Sequence, residues 1–145
     1  GFDDGVLKKE LKNYRLYSQA LYLAKEYERA IAPMEQSAKL APDGKLYIQL
    51  GQSLMALSRW VEAEAAIKQG IKKGKLDNTG RAVLALGSAQ FEQKKYDTAK
   101  ATFSSAIKYD GMSKDANNWV KYIEAEVYRI QELEKPIVIS TDVEV

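Results

Sequence analysis

The stretch LGSAQFEQKKYDTAKATFSSAIKYDG, residues 86–111, decides the fold of this chain. Its aromatic residue Tyr96 is followed by a small residue, Ala99, and then by a bulky one, Phe103, at spacings of three and four. Because an α-helix turns once in about 3.6 residues, these three side chains share one helix face. The small side chain lets a neighbouring helix approach closely, and the bulky one fills the space beside it. We therefore expect two packed helices, the first of which carries Leu86-Gly87.

The same pattern occurs twice more upstream. It is clear in LGQSLMALSRWVEAEAAIKQGIKKGK, residues 50–75, and weaker around residues 27–34. The aromatic residues that open the second helix of each copy, Tyr27, Trp60 and Tyr96, are 33 and 36 residues apart. These spacings bracket the period of about 34 that is typical of repeats built from two helices. The chain is therefore predicted to be an array of helical hairpins that share one continuous core.

The periodicity predicts seven helices and a tail. The helices are expected at about residues 7–24, 27–40, 43–57, 60–73, 80–93, 96–109 and 113–135. Pro33 lies inside the second of them, so a kink or a late start is expected there. Gly74 should end the fourth helix in a left-handed conformation. After Pro136 the apolar residues alternate as they do in a strand, which predicts an extended tail.

Several positions are predicted to lie in the core. Gly51 and Gly87 each cost a helix about 1 kcal/mol relative to alanine, so their recurrence indicates that two helices touch there. The last helix is polar on its outer face, as the final helix of a repeat array needs to be. The inward faces of the first and last helices are expected to carry Tyr14, Tyr17 and Leu21, and Trp119, Tyr122, Ile123, Val127 and Ile130.

Composition narrows the possible functions. The chain has no cysteine and no histidine, so it lacks the usual thiolate nucleophile, the commonest general base and the commonest metal ligand. It also lacks a glycine-rich phosphate loop, and we expect a protein that is not an enzyme, with no catalytic residue, no cofactor and no metal site. Its 22 basic and 20 acidic residues nearly balance, which disfavours nucleic acid as a partner. No run approaches the roughly 18 apolar residues of a membrane span.

The clustered charges have structural interpretations. The carboxylate pairs Glu62/Glu64 and Glu124/Glu126 are each two residues apart, so their members should point to different helix faces. They are not expected to form an acid–base dyad or a metal cage. The basic run between Lys68 and Lys75 is interpreted as a solvated helix end that complements the helix dipole.

The three copies resemble the tetratricopeptide repeat. The copy at 86–111 matches nearly every signature position of that family, whereas the copy at 50–75 has Gly70 where the family has a small alanine. The first copy has Ser18 and Ser37 at small-residue positions and keeps Pro42 at the repeat boundary. The resemblance implies an all-α fold, a right-handed α-solenoid of about three helix hairpins plus a C-terminal capping helix and an extended tail. The implied division is a lead-in at 1–10, repeats at 11–44, 45–78 and 79–112, the capping helix at 113–135 and the tail at 136–145.

In this family the first helix of each hairpin lines a concave groove, and the resemblance implies a peptide-binding groove here. Basic and amide side chains would hold a peptide backbone or carboxylate, while Tyr22, Met55 and Phe91 would offer apolar pockets. The alternative is that these side chains are merely solvated, or that Met55 and Phe91 belong to the core. The predicted groove residues are Arg15, Gln19, Tyr22, Lys45, Ile48, Gln49, Gln52, Met55, Arg81, Leu84, Ser88 and Phe91.

Some members of the family grip a C-terminal carboxylate with lysines, asparagines and an arginine. The matching positions here hold Arg15, Gln19, Gln49 and Arg81, but Ala85 occupies the last basic position. Arginine in place of lysine and glutamine in place of asparagine change both reach and geometry. The sequence therefore favours a general peptide groove over this particular grip.

Four longer runs resemble a narrower group, the C-terminal part of the repeat proteins found with TonB-type energy-transduction systems of gamma-proteobacteria. The runs are APDGKLYIQLGQ (41–52), RWVEAEAAIKQGIKKGKL (59–76), TGRAVLALGSAQFEQKKYDTAKATFSSA (79–106) and DANNWVKYIEAE (115–126). The connector at 73–76 and the pair Trp119 and Tyr122 are the most specific features. This resemblance implies a periplasmic scaffold with a longer chain upstream, whose partners are TonB, ExbB or ExbD homologues that power iron uptake through the outer membrane.

Two further interpretations stay open. The chain could be a cytoplasmic co-chaperone-like adaptor that binds peptide termini of partner proteins, because the lack of cysteine fits cytoplasm and periplasm equally. The tail from Ile137 to Val143 is expected to dock as an extended segment, since a lone strand is not stable by itself. It could dock on its own array or on a neighbouring copy, and the latter would produce self-association.

Overall fold

The computed structural model of the chain describes residues 2–137, and every regular element in that range is a helix. Each helix packs against the next along the chain, and α3 also contacts α5. This arrangement confirms the predicted all-α solenoid of three hairpins and a final helix. The predicted docking of the tail concerns mainly residues 138–145, which lie outside the described range. The helices are α1 (Phe2–Leu23), α2 (Tyr27–Leu40), α3 (Lys45–Ala56), α4 (Trp60–Lys73), α5 (Thr79–Glu92), α6 (Tyr96–Ala106) and α7 (Ser113–Glu134).

Small residues on the first helix of a hairpin face bulky residues on the second. A β-carbon on Gly51 would lie 2.5 Å from Cγ1 of Ile67, and one on Gly87 would lie 2.8 Å from the ring of Phe103. Ile67 and Phe103 are fully buried. The two helices therefore touch at both glycines, as predicted, and the same contact recurs after 36 residues.

The first helix differs from the prediction in its start and in its buried face. It begins at Phe2 rather than near residue 7, so the segment predicted as a lead-in is largely helical. Leu21 is buried as expected, but Tyr14 and Tyr17 are 37% and 51% exposed, and the prediction that they face inward is wrong. Ser18 is fully buried instead, because it occupies the position that Gly51 has in the next hairpin. The register of the repeat, rather than the spacing of the tyrosines, sets the buried face of α1.

The last helix buries a narrower face than predicted. Ile123 is buried, and Trp119, Val127 and Ile130 are half-buried. Tyr122 is 55% exposed, so the prediction that it faces the core is wrong. Because α7 rests mainly on α6, its neighbour covers one side of the helix, and Tyr122 lies at the edge of that side.

The ends of the other helices depart from the predictions in small ways. Pro33 does not delay the start of α2, which begins at Tyr27, and α6 already ends at Ala106. Gly74 has φ of 78° and ψ of −160°, so its φ is positive but its backbone is extended rather than left-handed helical. Its carbonyl accepts the N–H of Gly44 at 2.9 Å, and this bond ties the end of α4 to the start of α3.

A buried carboxylate joins the second hairpin to the third. Glu64 of α4 accepts hydrogen bonds from Nε2 of Gln90 at 2.9 Å, from Nε2 of Gln93 at 3.0 Å and from Nζ of Lys95 at 3.0 Å. Burial alone would raise the pKa of Glu64, but the hydrogen bonds from these glutamines and from lysines outweigh it and lower the pKa to about 2. Gln90 in turn accepts a hydrogen bond from Oγ1 of Thr102 at 2.6 Å. The network holds α4, α5 and α6 in one register.

The carboxylate pairs separate onto different helix faces, as predicted. Glu62 is exposed and bonds to Arg59, while Glu64 is buried. Glu124 pairs with Lys100 of α6, whereas Glu126 pairs along its own helix. Within the described range, no cluster of three acidic, histidine or cysteine side chains could hold a metal ion. In the same range, no helix combines the length and apolarity that crossing a membrane requires.

Two residues of the basic run differ from the predicted solvated helix end. Nζ of Lys68 lies 3.3 Å from Oε2 of the buried Glu64, and Lys73 reaches the preceding hairpin. Nζ of Lys73 donates to the carbonyl oxygens of Ala38 at 2.9 Å and of Lys39 at 3.1 Å, both in the last turn of α2. It also lies 5.5 Å from the centre of the Tyr47 ring. Lys73 therefore complements the dipole of a helix in the preceding hairpin, and it links two repeats.

Candidate functional site

A pocket of about 290 Å³ lies between α3 and α5, on the side of the array formed by the first helices of the hairpins. Five of the twelve predicted groove residues line it, and this is the part of the groove that the structure brings together. The lining consists of the predicted Lys45, Ile48, Gln49, Gln52 and Arg81 together with Leu76, Asp77, Asn78, Ala82 and Ala85.

The loop before α5 builds one wall of this pocket. Oδ1 of Asn78 accepts the N–H of Arg81 at 3.0 Å, which caps the first turn of α5 and fixes where the helix starts. Leu76 and Asp77 continue the wall. These three loop residues are absent from the predicted groove, although an asparagine before a helical pattern is a recognisable start signal.

The polar groups of Lys45, Arg81 and Gln49 in the pocket lining differ in how far they are satisfied. Nζ of Lys45 lies 3.1 Å from Oδ1 of Asp77, and both side chains are exposed, so this ion pair is weak. Arg81 is exposed and makes no ion pair with a side chain of the described range. Oε1 of Gln49 is buried and has no hydrogen-bond partner among the described residues. The pocket thus presents a cation to a ligand, and its lining includes a residue with an unbonded buried acceptor.

Tyr22 on α1 holds Gln52, one of the lining residues of the pocket, in place. Its hydroxyl donates to Oε1 of Gln52 at 3.1 Å, and its ring meets that of Tyr27 edge to face at 5.8 Å between centres. Burial, and after it the charge of nearby Tyr27, raises the pKa of Tyr22. The phenol is therefore a neutral donor at ordinary pH, and it orients Gln52 across the gap between α1 and α3.

Other predicted groove residues surround the pocket rather than line it. Arg15 and Gln19 are half-buried on α1, outside the pocket. Met55 packs against the core of the first two hairpins. Leu84 packs against two clusters of buried residues in the C-terminal half, one around Val83 and the other around Phe103. Oγ of Ser88 donates to the carbonyl oxygen of Leu84 at 3.1 Å, which turns it back toward its own helix. For Met55 the alternative of a core residue is therefore partly correct.

Phe91 contacts an aromatic surface on α7 that the predicted groove does not include. The centre of its ring lies 5.6 Å from that of Trp119 and 5.5 Å from that of Tyr122. Trp119 stacks on Phe103, with 4.7 Å between ring centres and an angle of 5° between planes. Asn118, Trp119 and Tyr122 line a shallow pocket of about 330 Å³.

The comparison with known families covers most of the pocket lining and part of this aromatic surface. The model of the tetratricopeptide repeat family matches residues 48–119, from Ile48 in the pocket to Trp119 on α7. Residues 48–119 belong to the tetratricopeptide repeat family. No curated protein sequence matches it.

Solved tetratricopeptide repeat domains are similar to this chain in fold. The Sgt2 domain from Aspergillus fumigatus has a TM-score of 0.75 at 18% identity, covering 94% of this chain and 91% of its own. The TPR2B domain of yeast Sti1, in complex with pHsp70, has a TM-score of 0.70 at 21% identity, with coverage of 81% and 98%. The second domain of human RPAP3, bound to the HSP70 peptide SGPTIEEVD, has a TM-score of 0.70 at 18% identity, with coverage of 81% and 98%. At these identities the likeness concerns the fold.

Proposed function

We propose that this protein is a non-enzymatic adaptor that binds a peptide segment of a partner protein between α3 and α5. The observation that carries the proposal is that one pocket is lined by the exposed Arg81 and by Gln49, whose buried Oε1 has no hydrogen-bond partner among the described residues. A peptide supplies both complements, because it offers carboxylates to the guanidinium group and backbone N–H groups to the amide oxygen once the Gln49 side chain turns toward the pocket.

The rest of the pocket suits an acidic peptide. Arg81 can bind a carboxylate through two parallel hydrogen bonds, and it leaves the lining with a net positive charge because Lys45 and Asp77 offset each other. Ile48, Leu76 and Ala82 supply apolar surface between these polar groups. Apolar lining with a few placed polar groups is the usual composition of a ligand pocket. We therefore infer an extended acidic segment as the ligand.

The solved relatives support this class of ligand over the narrower alternatives. The RPAP3 domain is bound to a peptide that ends in Glu-Glu-Val-Asp, and the Sti1 domain is in complex with pHsp70. These relatives fit a general peptide adaptor better than a component of a TonB system. Ala85 lines the pocket where a full grip on a chain terminus would need a basic residue. We therefore propose that Arg81 binds an acidic side chain of the partner.

Binding of synthetic peptides tests the proposal. A fluorescein-labelled peptide rich in glutamate and a matched peptide with glutamine in its place are titrated with the protein, and anisotropy is measured. Arg81→Gln should weaken binding of the acidic peptide at least about fivefold. Added salt should weaken this binding further, because exposed charges are screened. Arg29→Gln is the matched control. Arg29 lies on α2, outside the pocket lining, and it pairs with Glu26 three residues before it. Equal affinity for the two peptides, or equal loss in the two variants, would rule the acidic ligand out.

The narrower role remains a prediction from the sequence runs alone. It makes the protein an accessory component of a TonB–ExbB–ExbD complex in the periplasm, with a part in energised iron uptake. Crosslinking with TonB, ExbB and ExbD homologues tests it, and Arg81→Gln serves as the groove control. A yield that matches an unrelated helical protein would count against this role.

A further inference from the structure

We propose that Asn118, Trp119 and Tyr122 form a second subsite for the same peptide, and that it takes an aromatic or branched aliphatic side chain. We call it the aromatic subsite. The inference rests on the proposed function, because it treats this surface as the continuation of the pocket between α3 and α5. It commits to one occupant, a peptide whose acidic residue lies at Arg81 and whose apolar residue lies on α7.

The register of the repeat places the aromatic subsite in the series of groove positions. Helix α7 begins 34 residues after α5. At this offset Trp119 corresponds to Ala85, which lines the first pocket, and Tyr122 corresponds to Ser88. Helix α7 therefore continues the row of first helices, and its subsite follows the pocket between α3 and α5 along the same side of the array.

The rings of the aromatic subsite are fixed before a ligand arrives. Trp119 is held by its stacking on the fully buried Phe103. Tyr122 is 55% exposed, yet its ring centre lies 5.5 Å from that of Phe91 and 5.9 Å from that of Trp119. Binding on such a surface need not order flexible side chains, which lowers its entropic cost. Tyrosine and tryptophan in this setting are also the residues that most often dominate binding energy.

The charges around the aromatic subsite favour an uncharged occupant. Glu124 is paired with Lys100 at 3.0 Å, and Glu126 is paired with Arg129 on the same helix. The lining itself contributes two aromatic rings and one neutral amide. An acidic side chain therefore gains more at Arg81, and an apolar side chain gains more over Trp119 and Tyr122.

The length of α5 between Arg81 and Phe91 gives the approximate distance between the two subsites. The ring centre of Phe91 on this helix lies 5.5 Å from that of Tyr122 in the aromatic subsite, and Arg81 is ten residues before Phe91. At about 1.5 Å per residue this is about 15 Å along the helix axis. An extended peptide advances about 3.3 Å per residue, so about five residues span the distance. The acidic and apolar residues of the ligand should be separated accordingly.

A series of labelled peptides tests the spacing and the subsite together. Each carries Glu-Glu, a spacer of glycine and serine from about two to eight residues, and phenylalanine, and a matched series ends in serine. The phenylalanine series should bind most tightly with a spacer of about four, at least fivefold tighter than its serine match. Tyr122→Ala should remove that advantage and leave the serine series unchanged. Tyr128→Ala is the matched control, because Tyr128 is 65% exposed on the same helix and has no ring partner among the described residues.

The outcomes separate the subsite from the groove. If Arg81→Gln weakens both series while Tyr122→Ala changes neither, the aromatic subsite is wrong and the groove stands. If Tyr122→Ala weakens both series equally, its role is structural and the subsite is again wrong. If the tighter binding of the phenylalanine series is independent of spacer length, the distance between the subsites that was estimated from α5 is wrong. Failure of every peptide to bind overturns both proposals.

Discussion

The backbones of Gly44 and Gly70 touch, since a β-carbon on Gly44 would overlap the carbonyl group of Gly70. Gly44 precedes α3 and Gly70 lies in the last turn of α4, so this contact sets how tightly the second hairpin closes. A β-carbon on Gly70 would also lie 2.7 Å from Cδ1 of Ile48, which lines the peptide pocket. The contact explains why Gly70 replaces the small alanine of the family, and it connects the packing of the hairpin to the shape of the pocket.

Gly44→Ala should therefore destabilise the protein strongly. The added methyl group meets backbone atoms, which cannot rotate aside, and overpacking of this kind costs about 1–3 kcal/mol. Gly5→Ala is the control, because the described residues leave the space around its β-carbon open. It should be neutral or stabilise α1 by up to about 1 kcal/mol. Urea unfolding measures both, and equal midpoints would contradict the contact.

Glu64 should make stability depend on acid pH. The pKa of this carboxyl is lowered from 4.5 to about 2, so the unfolded chain takes up the proton first. The stabilisation is complete above about pH 5 and is lost as pH falls toward 2, and it amounts to about 3 kcal/mol. Glu64→Gln should lower the free energy of unfolding at neutral pH by about that amount and have little effect near pH 2.

Glu92→Gln is the matched control for this carboxylate, because Glu92 is exposed near the end of α5. It should change the stability little at any pH. Unfolding of the three proteins is followed by circular dichroism across the acid range. If the curves for Glu64→Gln and the parent protein stay parallel from neutral pH to pH 2, the hydrogen bonds to Glu64 do not stabilise the fold as described.

The fold was predictable because the pattern of small and bulky residues indicates directly which residues of the two helices in a hairpin are in contact. Gly51 with Ile67 and Gly87 with Phe103 are local pairs within one hairpin, so their spacing identifies both partners. The buried face of α1 was mispredicted because the aromatic spacing of Tyr14 and Tyr17 competed with the register of the repeat. Ser18 is at a small-residue position of the first copy, and aligning it with Gly51 of the second copy resolves that conflict.

The site was predictable only in part because its parts come from distant segments. The resemblance implied the groove position of Arg81, and a shift of 34 residues extends that series to Trp119 and Tyr122 of the proposed aromatic subsite. These two residues were assigned to the core because the last helix was treated as a cap. The network of Glu64 with Gln90 and Gln93 spans 26 to 29 residues of sequence and carries no periodic signal. Such pairs follow from how two hairpins stack, which the pattern within one hairpin does not contain.

Lys73 should stabilise the junction between the first two hairpins. Lys73→Met keeps most of the aliphatic stem but removes the two hydrogen bonds to the last turn of α2 and the contact with the Tyr47 ring. We expect a loss of about 1–2 kcal/mol, as for other charged donors at helix C-termini. Lys72→Met is the control, since the Lys72 side chain, next to Lys73 in sequence, is exposed. Equal thermal unfolding of the two variants would contradict the junction.

Gln49→Leu should trade binding for stability. The buried Oε1 has no partner among the described residues, and an unsatisfied buried acceptor costs about 1–3 kcal/mol. Leucine removes that cost, so the free energy of unfolding should rise by about 1 kcal/mol while affinity for the acidic peptide falls at least fivefold. Gln52→Leu is the control, because its Oε1 is already bonded to Tyr22 and its loss should lower stability slightly. Denaturation and peptide titration are measured on the same samples, and a fall in stability for Gln49→Leu would show that the amide serves the fold rather than the ligand.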